Sequence, residues 1–120
     1  MIIDHMGFAV SDFGRSRNFY VKALAPLGVE VVREGDSWAM LGKDGKGEFW
    51  FGVYGKPPGP MHLAFAAASR AEVDAFYIAA MAAGGKDNGA PGVREQYHPN
   101  YYAAFIIDPD GHNIEAVTHG

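Results

Sequence analysis

With 120 residues, nearly half of them apolar, the chain has enough material for one modest core and too little for two. It has no cysteine, which excludes disulfides, thiolate metal sites and a Cys nucleophile, and suits a reducing, cytoplasmic setting. A net charge of −4 with scattered Lys and Arg argues against a nucleic-acid partner, and no apolar run approaches the ~20 residues of a membrane span.

In chain order, residues 3–10 alternate as a strand, and Ser11 or Asp12 can cap a helix over about 13–25. Phe19, Tyr20, Ala23, Leu24 and Leu27 form its apolar stripe, and Pro26 and Gly28 end it. Strands follow at roughly 29–34, 37–42 and 48–54, separated by "EGDS" and "GKDGKG". After "GKPPGP" comes a strand headed by "MHLAFAA". Ser69 and Glu72 then make a capping-box pattern before a helix of about 70–83, which stops at Gly84 and Gly85. Strands at about 93–97, 101–107 and 112–118 complete the chain, the last two joined by the turn "DPDG".

The two halves are copies of one plan. A shift of 57 positions lays His5 on His62, Phe8 on Phe65, Phe19 on Phe76, Tyr20 on Tyr77 and Gly28 on Gly85. This predicts a single domain over 1–120 made of two βαβββ repeats, about 1–55 and 61–120. The fold class is α+β, with a curled mixed sheet around a concave cleft and helices on the outer face.

Strand alternation sets which side chains share a face. Met6, Phe8 and Val10 lie on one side of the first strand and His5, Gly7 and Ala9 on the other; Leu63 and Phe65 oppose His62, Ala64 and Ala66 in the same way. Both histidines therefore sit among very small residues. Glu115 shares a face with Asn113 and Val117, and a mid-strand carboxylate buried there needs a cation or strong donors. Two imidazoles and a carboxylate converging on a cavity would bind one divalent metal ion and leave positions open for substrate. His112 is expected to face solvent after its Gly turn, and His119 to have no role.

The stretches "DHMGFAVSDFGRSRNFY", "MHLAFAAASRAEVDAFY" and "AAFIIDPDGHNIEAV" together resemble the vicinal oxygen chelate superfamily: glyoxalase I, bleomycin-resistance proteins and extradiol dioxygenases. The resemblance covers the whole chain and implies metal ligands at His5, His62 and Glu115. A fourth ligand position would fall in "EFWFGVY", where Trp50 and Phe51 cannot bind metal and instead wall a pocket or pack as core. Glu48 lies at the beginning of that strand. The pattern of the dioxygenases places an apolar–Tyr pair where this chain has Ala104 and Phe105.

From "REQYHPNYYAAF", His98 is a candidate proton carrier and Tyr101 a substrate contact, alongside Trp50, Phe51, Phe105 and Asn113; Arg94 could hold an anionic group. The resemblance implies a metal-dependent lyase, isomerase or dioxygenase acting on a small substrate through vicinal oxygens, with Zn, Mn, Fe or Ni as the ion. The alternative is a metal-free module sequestering an aromatic molecule, with Trp38, Trp50, Phe51 and Tyr54 as stacking surfaces. A homodimer is expected from the exposed aromatics of "NYYAAF".

Overall fold

A computed structural model describes residues 3–120. The elements run β1 (Met6–Ala9), α1 (Phe13–Leu24), β2 (Glu30–Glu34), β3 (Trp38–Lys43), β4 (Lys46–Gly52), then β5 (His62–Ala66), α2 (Arg70–Ala82), β6 (Lys86–Val93), β7 (Tyr102–Ile107) and β8 (Asn113–Thr118). Both modules are therefore βαβββ, and the architecture is the expected α+β. Each module forms its own four-stranded sheet, ordered β1-β4-β3-β2 and β5-β8-β7-β6. The first strand of each pairs parallel with the last, and the other pairs are antiparallel.

Local chemistry explains the helix ends. The Asp12 side chain accepts from the Arg15 amide at 3.0 Å, while Ser11 turns away to Asp110. Ser69 accepts from the Glu72 amide at 3.2 Å, and Glu72 reaches back to the Ala68 amide at 2.9 Å. A 3-10 turn over Ala25–Leu27 closes α1, and Gly28 follows it at φ 81°, a conformation that favours glycine.

One strand differs from expectation. The second strand of module two is Lys86–Val93 rather than 93–97, and residues beyond it turn back through Arg94–Tyr97. "KDNGAPGV" has neither apolar alternation nor β-branched bulk, and its pairing to β7 shifts register twice. It is a strand because β7 offers it a hydrogen-bonding edge, a cause that local sequence does not display. The 57-residue offset does point there, since it carries Glu30–Glu34 of β2 onto 87–91.

The helix-facing sides of both sheets share one core. Phe8, Phe49 and Phe51 from the first sheet join Ile106, Ile114 and Ala116 from the second around Phe19, Tyr20 and Phe76 of the helices. The helices pack on each other, and the Phe49 and Phe65 rings meet at 5.3 Å across the modules. Phe51 is fully buried against Phe13 and Tyr20, so it is a core residue and not a substrate contact. Its burial contributes about 2–3 kcal/mol.

The turn after β7 ties the modules together. Asp108 accepts from the Tyr20 hydroxyl of α1 and from the amides of Asp110 (2.9 Å) and His112 (2.8 Å). His112, expected at the surface, is fully buried: its Nδ1 accepts from the Met61 amide at 3.0 Å and its ring stands edge-on to Phe8 at 5.6 Å. The Gly turn directs it inward because its amide finds the Asp108 carboxylate, its carbonyl accepts from the Asp108 amide at 2.9 Å and its ring nitrogen accepts from Met61.

The face of each sheet without a helix turns away from the shared core. Among the described residues no strand of one sheet bonds to a strand of the other, so they carry two separate open faces, bordered by the edge strands β1 and β5. No helix is long and apolar enough to cross a membrane among the described residues.

Candidate functional site

The open face of the second sheet gathers the polar chemistry. In the parallel pair β5–β8, His62 lies beside Asn113 and Ala64 beside Glu115. The small Ala64 leaves space over Glu115, and two larger side chains close it. His62 Nε2 is 2.8 Å from Glu115 Oε1, and the Tyr101 hydroxyl donates to Oε2. Glu115 is thereby only 1% exposed on a face otherwise open. The Asn113 amide faces His62 Nδ1 at 3.4 Å, and its carbonyl accepts from Asn88 at 3.2 Å, which leaves His62 Nε2 as the donor to Glu115. Phe105, opposite Glu115 on β7, meets His62 edge-on at 6.2 Å.

His5 is elsewhere. It lies one residue ahead of β1 on the first sheet, exposed, with Nδ1 bonded to Asp4 at 2.8 Å. Among the described residues, no three His, Asp or Glu side chains converge as a metal group. The three expected ligands are thus split within one chain, two together and one apart. His62 Nε2 and Glu115 Oε1 stand at hydrogen-bond distance; to share an ion at about 2.0–2.2 Å the ring would carry its proton on Nδ1 and turn the Nε2 lone pair to the cation. The pair fits a shared divalent cation and needs a further ligand from outside this face.

The space expected around His5 is occupied. A Cβ at Gly7 would lie 2.1 Å from the Trp50 indole, so Gly7 is small to seat Trp50 rather than a ligand. Trp50 stacks on Tyr54 at 5.2 Å, and with Trp38, Val53, Ser37 and Gly52 they line a shallow groove of about 210 Å³. The registers Gly7↔Trp50 and Ala64↔Glu115 make Trp50 the first module's counterpart of Glu115. One face is aromatic and the other is acid and imidazole.

His98 packs against Tyr101. Its ring meets Tyr101 edge-on at 5.4 Å, its Nδ1 accepts from the Asn100 amide at 3.1 Å, and its Nε2 lies 2.6 Å from Nδ1 of His119. His119, expected to have no role, is thus stacked on His98. A cavity of about 310 Å³ lies away from all these groups, between Arg15, Lys86 and the turn at Pro109.

Sequence comparison decides the lineage. The profile of the "Glyoxalase/Bleomycin resistance protein/Dioxygenase superfamily" matches residues 2–116. The chain belongs to this superfamily. A search of the curated proteins finds no match. Among solved structures, a glyoxalase/bleomycin resistance protein from Albidiferax ferrireducens T118 is similar, with 30% identity, TM-score 0.82 and 98% of each chain covered. A glyoxalase-related enzyme from Fulvimarina pelagi shares 20% identity at TM-score 0.73, over 96% of this chain and 86% of that one. Glyoxalase I from Zea mays shares 22% identity at TM-score 0.71, over 96% of this chain and 43% of that one.

In this member of the superfamily the carboxylate's second partner is a phenol. The sequence marks Tyr101 as a substrate contact; its bond to Glu115 is visible only once β7 and β8 are paired, because Tyr101 lies just ahead of β7. Burial, and after it the Glu115 carboxylate, push the Tyr101 phenol up to about 12. An unfolded tyrosine ionises near pH 10, so this contribution to stability is complete below about pH 10 and is lost as pH rises through about 12. The urea midpoint is expected to fall across that window, and to fall less steeply in Tyr101→Phe. A variant curve that superimposes on the wild type would remove Tyr101 from the account. Tyr20, raised by its burial and by Asp108, contributes to the remaining slope together with Tyr77, raised by burial and Asp87, and Tyr102, raised by its bond to Asp74.

Proposed function

We propose that the chain is one subunit of a homodimeric, metal-dependent enzyme acting on a small substrate through two adjacent oxygens. The ion is held by His62 and Glu115 of one copy and by His5 of a second. The observation that carries this reading is the Glu115 carboxylate, buried to 1% exposure on an open face with an imidazole nitrogen 2.8 Å away. Burying a carboxylate is costly unless something nearby answers its charge, and this one lies where a ligand could reach it. The two outward-turned faces and the edge strands β1 and β5 support assembly across copies. Asp4 occupies only Nδ1 of His5, which leaves Nε2 to coordinate.

Nitrogen and oxygen ligands suit Zn, Mn, Fe(II) or Ni alike. When bound, the cation would supply Lewis-acid stabilisation of charge developing on the substrate oxygens. The chain's own groups do the rest. Tyr101, holding its proton at neutral pH, would turn that one donor from Glu115 Oε2 to a neighbouring substrate oxygen. His98, paired with His119 beside Tyr101, would take or return a proton. Phe105 supplies an apolar floor, and Asn113 holds the His62 ring in orientation. Lyase, isomerase and dioxygenase reactions can all use this arrangement. The cysteine-free composition supports a cytoplasmic setting.

A second reading, metal-free sequestration of a planar molecule, is favoured by the groove of Trp38, Trp50 and Tyr54. Metal analysis of protein purified without chelator separates the two. Near-stoichiometric divalent metal, abolished by His62→Ala, is expected. A metal-free protein that binds aromatic ligands equally well with and without that substitution would establish sequestration.

A further inference from the structure

Beside the His62–Glu115 pair stands an arginine whose position is built and whose charge is unanswered. Arg94 is half-buried, its guanidinium lies over the Phe105 ring at 5.3 Å from the centroid, and one Nη donates to the Ala90 carbonyl at 2.8 Å. The bulged strand β6 makes the seat. A Cβ at Gly89 would come within 3.1 Å of one Nη and 3.0 Å of Phe105, and a Cβ at Gly92 within 3.1 Å of the other Nη. Gly89 also holds φ at 149°, where side chains are strained. Two bare backbone positions, a carbonyl and a ring therefore fix a side chain that is otherwise rich in rotamer freedom.

Nothing acidic uses this charge. No carboxylate lies within ion-pair distance of Arg94 among the described residues, whereas Arg17 is paired with Glu34 at 2.7 Å. Phe105 is the shared neighbour: the Arg94 guanidinium lies over its face, and His62 approaches its edge. A molecule whose oxygens are held at His62 and Glu115 would extend along Phe105 toward the guanidinium.

We infer that Arg94 anchors the anionic end of the substrate, which is a small carboxylic acid carrying its adjacent oxygen pair at the other end. The planar fork matches a carboxylate bidentately, and in a chain of net charge −4 a local cation is needed to recruit an anion. The inference rests on the proposed reading of the His62–Glu115 site for where the other end of the substrate lies.

The test is an NMR titration of the full chain, in the presence of zinc as a diamagnetic ion, with 3,4-dihydroxybutanoate and its neutral amide, following signals of Arg94, His62 and Tyr101. The acid is expected to bind saturably and the amide about tenfold or more weaker. Arg94→Gln should bring the acid down to the affinity of the amide and leave the amide unchanged. Gly92→Ala, which keeps the charge but crowds its seat, should cause a smaller loss. An acid-to-amide ratio unaffected by Arg94→Gln, or no saturable binding of the acid at concentrations on the order of tens of millimolar, would overturn the anchor. Shifts confined to Arg94 and absent from His62 and Tyr101 would uphold the anchor and overturn the metal-site reading. Shifts at His62 and Tyr101 that ignore Arg94→Gln would do the reverse.

Discussion

Asp108→Ala is expected to lower the stability of the chain by about 4 kcal/mol, the loss characteristic of a broken buried network. Asp108 is 5% exposed and answers three donors at once: a buried phenol from the first module and two amides of its own turn. Its removal strands the Tyr20 hydroxyl in an apolar core and frees the turn that carries His112 inward. Tyr20→Phe alone should cost less, because it removes the donor along with the bond and leaves the two amide bonds in place. In the Tyr20→Phe background the Asp108→Ala penalty should shrink by about 1–2 kcal/mol. Urea unfolding with an unchanged slope reads both numbers. A penalty equal in the two backgrounds would mean that the phenol and the carboxylate do not act together.

The second large effect concerns the division of the metal ligands between copies. His5→Ala and Glu115→Ala, prepared separately, are each expected to bind divalent metal about a hundredfold or more weaker than the wild type. Unfolded, mixed in equal amounts and refolded, half of the dimers will carry one variant of each kind. Each such dimer has one intact site, His62 and Glu115 from the first variant with His5 from the second, and one site lacking both. The mixture should therefore recover about a quarter of wild-type metal binding. Full affinity in His5→Ala alone would place the remaining ligand on some other group. A refolded mixture with no more metal than its separate parts would confine the site to a single chain, against the proposed assembly.

Much of the fold was legible because it is written twice. The helix caps at Asp12 and Ser69, the stop at Gly28 and the alternation of β1 and β5 all depend on near neighbours, and near neighbours are what a sequence displays. The placement of β6 depends on a partner strand, so it is legible only through the repeat. The site was legible in part. Alternation correctly puts His62, Glu115 and Asn113 on one face, but periodicity within a strand does not say how two modules are packed. The same face reasoning therefore grouped His5 with residues of a sheet it does not share. The small residues misled in one half and not in the other: Ala64 does leave room for Glu115, whereas the space beside Gly7 belongs to Trp50. Phe51 differs from Trp50 by one position and hence by a whole face, which is why one is core and the other lines a groove.

The paired registers Gly7↔Trp50 and Ala64↔Glu115 set the two halves apart. Two modules of one plan could carry equal residues at equal places, and at this pair of equivalent strand positions they carry unlike chemistry. An indole on one side and an acid on the other make the halves non-interchangeable. A tandem of either module with itself would carry two hydrophobic walls or two ionisable ones, and only the unlike pair retains both.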